Sequence, residues 1–96
     1  MKVVNLNSEA YDVYIGRPSK WGNPFSHLDD SIAEFKVATR TEAIKKYKSY
    51  ILSTPELLYS LHELDGKVLG CHCKPLPCHG DILIQLRQDQ LSEELL

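Results

Sequence analysis

The sequence predicts an α/β domain. We expect a small Rossmann-like sheet of about three strands, mostly parallel with one pair antiparallel, flanked by helices. Three observations predict it. Short apolar runs at residues 3–6, 11–15 and 67–71 read as strands. Two stretches of helical periodicity, residues 41–53 and 55–64, separate the second run from the third. That strand–helix–strand order is the pattern of a right-handed crossover onto a neighbouring parallel strand.

Residues 3–6 form the first strand and Asn7, Ser8, Glu9 and Ala10 a turn. In the second strand Tyr11, Val13 and Ile15 alternate onto one face, and the short connection suggests that these two strands pair antiparallel. Gly16 ends that strand, and residues 17–27 hold two Pro, a Gly, an Asn and the only Trp, so they form a loop. Asp29 or Asp30 can cap a short helix at residues 31–36 supported by Ile32 and Phe35. The clearest helix, residues 41–53, has Thr39 or Thr41 as cap and Glu42 in its first turn. Its apolar stripe is Ile44, Tyr47 and Ile51, while Lys45, Lys46 and Lys48 read as a solvated face. Pro55 opens the next helix, which carries Leu57, Leu58, Leu61 and Leu64 and stops at Asp65-Gly66. A third strand at residues 67–71 leads to a final helix that begins near His79 and packs through Ile82, Leu83 and Leu86.

With 96 residues the chain is expected to form one domain, residues 1–96. A chain of this size buries only roughly 60–65% of its unfolded surface, so a homodimer or a bound ligand would help its modest core. Hydrophobic content of 43% and charged content of 25% are ordinary for a globular protein. A net charge of −2, with the basic residues spread out, argues against strong binding to duplex nucleic acid. No segment approaches the roughly 18–20 apolar residues of a membrane span, and residues 1–5 lack the apolar stretch of a signal peptide. The three Cys all fall between Cys71 and Cys78, which fits a reducing cytoplasm better than a disulfide framework.

The chemistry concentrates in two loops. In an open α/β sheet, ligands sit beyond the carboxyl ends of parallel strands, and both loops follow such ends if the second and third strands are parallel neighbours. The first offers ligand-binding candidates of five kinds: the cation Arg17, the hydroxyl Ser19, a second cation Lys20, the aromatic plate Trp21 and the amide Asn23. Arg grips phosphate or carboxylate through two donors. Trp21 either stacks a base or fills the core. Asn23 either reads a base edge or holds the loop. The second loop supplies Cys71, Cys73, Cys78 and His79, four zinc-type ligands in the order Cys-x-Cys-x₄-Cys-His. The spacing departs from Cys-x₂-Cys, and no distant half-site exists. Adjacent Cys78 and His79 also fit one tetrahedral ion awkwardly, so no metal set is assigned. The other reading is a thiol and imidazole site at a helix N-terminus, where the dipole favours a thiolate or an anion. There Cys78, His79 and Asp81 are the catalytic candidates, and Asp81 alternatively serves as a cap. Cys71 and Cys73 share one side of an extended chain and serve either as ligand contacts or as small buried apolar groups. His72 reads either as a further ligand contact or as an exposed side chain, whereas His27 and His62 read as ordinary residues without a role at the site.

The pairing of Arg17-Pro18-Ser19-Lys20-Trp21-Gly22-Asn23-Pro24-Phe25 with Gly70-Cys71-His72-Cys73-Lys74-Pro75-Leu76-Pro77-Cys78-His79-Gly80-Asp81 resembles a family of small phage and bacterial proteins. That family is known only as a domain of unknown function, of the 4326 type. The resemblance covers nearly the whole chain and differs at His72, where the family more often has Trp. It implies a common fold and a signature of Arg17, Ser19, Trp21, Asn23, Cys71, Cys73, Cys78, His79 and Asp81. A phage origin would place the protein in the host cytoplasm and favours a nucleotide- or nucleoside-directed role by association. The leading expectation is therefore a nucleotide or nucleoside ligand, with action on a glycosidic or phosphate bond. The alternatives are a structural zinc-binding interaction module, or a phage factor that docks on a host protein through Leu91, Leu95 and Leu96. The sequence names neither a reaction nor a cofactor.

Overall fold

A strand whose residues are nearly all buried must have both of its edges paired, since an unpaired backbone N–H or C=O has no water to turn to. Val68-Leu69-Gly70-Cys71 is such a stretch, and it becomes the centre of the main sheet. The computed structural model describes residues 1–28 and 34–94. In chain order its elements are β1 (Lys2–Asn5), β2 (Val13–Tyr14), β3 (Phe25–Ser26), β4 (Phe35–Lys36), α1 (Arg40–Leu52) and α2 (Pro55–Ser60). A 3₁₀ turn (Leu61–Leu64), β5 (Val68–Cys71) and α3 (His79–Glu94) complete it. Strand order is β1-β5-β2, and both pairings are parallel. Val3 and Val13 flank Leu69 from either side, and Val4 and Tyr14 flank Gly70.

This order corrects one expectation. β1 and β2 are close in sequence but do not form an antiparallel hairpin, because β5 lies between them. Asp12 fixes the arrangement by accepting a bond from Val68 N–H on its carboxylate and giving its own N–H to the Val68 carbonyl, both at 2.8 Å. Val13 and Ile15 face the core as expected, but Tyr11 precedes the strand and lays its ring over Gly70. A second correction concerns residues 31–36. Phe35 and Lys36 form a strand paired in parallel with Phe25 and Ser26, and the two Phe rings stack at 5.3 Å. The caps expected at Asp29 and Asp30 lie outside the described residues.

The helices follow their local signals. Thr39 Oγ1 accepts from Glu42 N–H at 3.1 Å, and Glu42 accepts in turn from Ala38 N–H, which closes the start of α1. α1 buries Ala43, Tyr47 and Ile51 and leaves Lys45 and Lys46 exposed. Pro55 stands in the first turn of α2. Gly66, with φ of 74°, makes the turn into β5 that a residue with Cβ would resist. The core runs between sheet and helices through Ile15, Tyr47, Ile51, Leu61, Leu69 and Leu83. Among the described residues no helix is long and apolar enough to cross a membrane.

Candidate functional site

β2 and β5 are parallel neighbours, so their carboxyl ends open on the same edge of the sheet. The two unusual loops leave from there, and each contains a cis peptide bond before proline, Arg17–Pro18 and Lys74–Pro75. A cleft of about 390 Å³ opens between them. Arg17 and Asn23 reach it from the first loop, and His72, Cys73, Cys78 and His79 from the second. Phe25, Arg40 and Ile44 close the third side.

Most polar groups of the first loop hold the loop itself. Ser19 Oγ donates to the Gly16 carbonyl at 2.6 Å. Asn23 is buried. Its Nδ2 donates to the Ala43 carbonyl, and its Oδ1 accepts from Phe25 N–H. Arg17 Nη1 donates to the Asn23 carbonyl at 2.7 Å. Trp21 is 3% exposed and belongs to the core, while Tyr47 Oη donates to its carbonyl at 2.7 Å. Lys20 lies 5.1 Å from the Trp21 ring centroid and pairs with Glu63 at 3.0 Å. Ser19, Lys20 and Trp21 therefore stand away from the cleft, while Arg17 and Asn23 stand in it.

The second loop gathers its sulphur atoms. The Sγ atoms of Cys71, Cys73 and Cys78 all lie within 4.8 Å of one another, a spacing that a metal ion can occupy. Cys71 and Cys78 are buried, Cys73 half-buried, and all three are free thiols. Cys78 stands just before α3. Its N–H goes to Asp81 Oδ2 at 3.1 Å, and its Sγ accepts from Gly80 N–H at 3.4 Å. This is a capping box with sulphur in the place of a hydroxyl. Asp81 Oδ1 also accepts from Lys74 Nζ at 2.7 Å, so this carboxylate closes the loop and lies outside the cleft lining. Asn5 Nδ2 holds the loop from β1 by donating to the Lys74 carbonyl.

His79 is set by α3. Gly80 follows it at a point where a Cβ would sit 2.7 Å from the Ile15 side chain and 2.8 Å from that of Val3, so any larger residue here requires those packed side chains or the helix to shift. His79 Nε2 then meets the Ile15 carbonyl at 2.7 Å. A carbonyl only accepts, so Nε2 carries the proton and Nδ1 presents a lone pair. Nδ1 lies 3.5 Å from Cys78 Sγ. The Tyr47 ring meets the imidazole edge-on at 5.0 Å. Both ring nitrogens are thus engaged away from Asp81. Burial pushes the imidazole pKa below its ordinary value, against the opposite pull of the Ile15 carbonyl. The hydrogen bond from Cys78, and then the Arg40 guanidinium, hold the Cys73 thiol well below the usual range. Giving that bond to Cys73, together with burial, pushes Cys78 up.

His72 is fixed by a similar chain. Tyr14 Oη gives its single proton to the Arg17 carbonyl at 2.9 Å, so at 3.3 Å it accepts from His72 Nε2. Among the polar cleft residues that sequence reading missed are Arg40, Tyr14 and His27, the last read there as an ordinary residue without a role at the site. Arg40 had a usable signal, since it occupies the first helical position after the Thr39 cap. Nothing local marked the other two.

Comparison with known proteins places the chain. The uncharacterized 12.4 kDa protein of the nrdA-td intergenic region of Enterobacteria phage T4 is 35% identical over 86 residues. That match spans 88% of this chain and 75% of the phage protein. No solved structure matches the chain. A family model matches residues 2–89, nearly the whole sheet-and-helix framework that carries both loops, and the chain belongs to that family, the domain of unknown function DUF4326.

Proposed function

We propose that this chain is a small metal–thiolate domain, in which Cys71, Cys73, Cys78 and Nδ1 of His79 hold one soft divalent ion, zinc by ligand type. The observation that carries the reading is the donor set itself: three Sγ atoms mutually within 4.8 Å and an imidazole nitrogen 3.5 Å from one of them. Tetrahedral zinc with Zn–S of about 2.3 Å and Zn–N of about 2.0–2.1 Å needs S···S near 3.8 Å and S···N near 3.5 Å. The orientation of His79 adds support. A metal-bound imidazole commonly gives its other N–H to a carbonyl or carboxylate, and here the Ile15 carbonyl receives it. A divalent ion with three thiolates carries one negative charge, which the Arg40 guanidinium beside Cys73 balances.

Such an ion would join the end of β5, the start of α3 and, through His79, the end of β2. That cross-link suits a chain too short to bury a large core. The nucleotide-directed reading is less well supported. It relies on Trp21 as a stacking plate and Lys20 as a phosphate ligand, and both stand away from the cleft.

Elemental analysis of the purified protein tests the proposal. We expect about one zinc per chain, near-complete loss of it in Cys78→Ala, and a fall in melting temperature when a chelator is added. Less than about a tenth of an equivalent of any transition metal, in protein purified without chelator from zinc-supplemented cells, would overturn it.

A further inference from the structure

The chain has three arginines, and their surroundings differ. Arg87 is clamped by Asp65 through two bonds of 2.8 and 2.9 Å. Lys2, Lys20 and Lys74 each have a carboxylate partner too. Arg17 and Arg40 are the contrast. Among the described residues no carboxylate lies within salt-bridge distance of either, and both line the same cleft. The identified partner of Arg17 is neutral, the Asn23 carbonyl.

Among the described residues the lining also takes in His27, His72 and His79 but no Asp or Glu. The first turn of α1, with Arg40 at its start, brings the positive end of a 13-residue helix to the wall. Phe25, Ile44 and Pro77 add apolar surface to the lining. A volume of about 390 Å³ falls in the range of small-molecule sites. Neither guanidinium meets a carboxylate: Arg17 rests on a neutral carbonyl and Arg40 lies beside the Cys73 sulphur. Each has five donors, more than these contacts use, and the planar fork of Arg matches a phosphate oxygen pair.

We infer that the cleft binds a small phosphate-bearing molecule, its phosphate gripped by Arg17 and Arg40 and its body lying against Phe25 and Ile44. This goes beyond the metal reading. It uses none of the three sulphur atoms, but Arg40 is common to both, so zinc content and phosphate binding are read side by side in every variant. It also moves the anion site suggested by the sequence, replacing Lys20 with Arg40 and the start of α3 with the start of α1.

Titration calorimetry on the protein as purified, with inorganic phosphate, adenosine monophosphate and adenosine as probes, tests it. Phosphate and the monophosphate should bind, and adenosine should bind at least tenfold more weakly than the monophosphate. Arg17→Gln and Arg40→Gln should each weaken the monophosphate at least tenfold. Lys45→Gln, which removes the same charge from an exposed position on α1, should leave it unchanged. Since Arg17 also holds the Asn23 carbonyl, Arg17→Lys is measured beside it. It keeps the charge and should recover part of the loss. Metal content is measured on every sample, so that loss of zinc with phosphate binding intact counts only against the metal centre. If neither phosphate nor the monophosphate binds folded protein at millimolar concentration, or if binding is equal in both Gln variants and the wild type, the inference is wrong.

Discussion

The two loops leave adjacent parallel strands at one edge of the sheet, but their polar groups have different tasks. In the first loop nearly every such group is matched to a neighbour within the fold: Ser19 to Gly16, Asn23 to Ala43 and Phe25, the Trp21 carbonyl to Tyr47, and Lys20 to Glu63. Its one cation in the cleft lining, the Arg17 guanidinium, has a neutral partner, the Asn23 carbonyl. In the second loop the strongest donors face one another. Three sulphur atoms converge and an imidazole nitrogen lies 3.5 Å from one of them, while the bonds that hold them in place come from Asn5, Asp81 and the Ile15 carbonyl. A loop rich in unusual residues is therefore not by itself a binding site. What separates the two is whether the fold already satisfies the side chains.

The largest test of this contrast is Trp21→Ala. If Trp21 plugs the core, its removal should cost about 3–5 kcal/mol, a large share of the roughly 5–15 kcal/mol that holds a small domain together. Urea unfolding should show a collapse of the midpoint, and Trp21→Phe should recover part of it. A Trp21→Ala protein of near-normal stability that loses only ligand affinity would break the contrast, because the first loop would then carry a binding group after all.

A change of intermediate size belongs to the second loop. Gly80→Ala places a methyl 2.7 Å from the Ile15 side chain and 2.8 Å from that of Val3, and we expect the start of α3 to lift from the sheet in response. Overpacking of this kind costs about 1–3 kcal/mol. The displacement also separates His79 Nε2 from the Ile15 carbonyl, so zinc affinity should fall together with stability. Zinc competition against a chromophoric chelator reads the first effect, and urea unfolding the second. Lower stability with unchanged zinc affinity would show that the donor set does not depend on the close approach of helix and sheet.

How much of this was legible in the sequence depended on range. The start of α3 at His79, the Thr39 cap and the parallel pairing of β2 with β5 could be read from local pattern and element order. The separation of β1 from β2 could not, because it depends on a strand more than fifty residues away. Nor could β3 and β4. Two-residue strands are too short to show alternation, and their pairing rests on backbone bonds from Phe35 to Pro24 and from Val37 to Ser26 together with the Phe25–Phe35 stack. At the site, sequence order placed Arg17 and the Cys-His cluster in suitable loops, but the duties of Trp21 and Lys20 were decided by Tyr47 and Glu63 on distant helices. Arg40 joins the cleft only because α1 folds across it.

The smallest test compares two ion pairs, one on each loop. Lys20 and Glu63 are both well exposed, and Lys20→Met should change stability by no more than about 0.5 kcal/mol. Lys74 is more sheltered, and its pair with Asp81 closes the loop that carries the cysteines, so Lys74→Met should cost slightly more, up to about 1 kcal/mol. The hydrogen bond to Asp81 raises the Lys74 pKa above its ordinary 10.5 in the folded chain. A raised lysine stabilises the fold fully below the pKa of the unfolded chain, and the contribution fades as pH climbs through the folded value. The stability gap between wild type and Lys74→Met should therefore be constant from neutral pH to about pH 9 and close in strongly alkaline solution. Urea unfolding of both proteins across that range measures it. A gap that persists unchanged at alkaline pH would mean that Lys74 contributes through the packing of its aliphatic stem and not through its charge. The second loop would then be held, like the first, by neutral contacts.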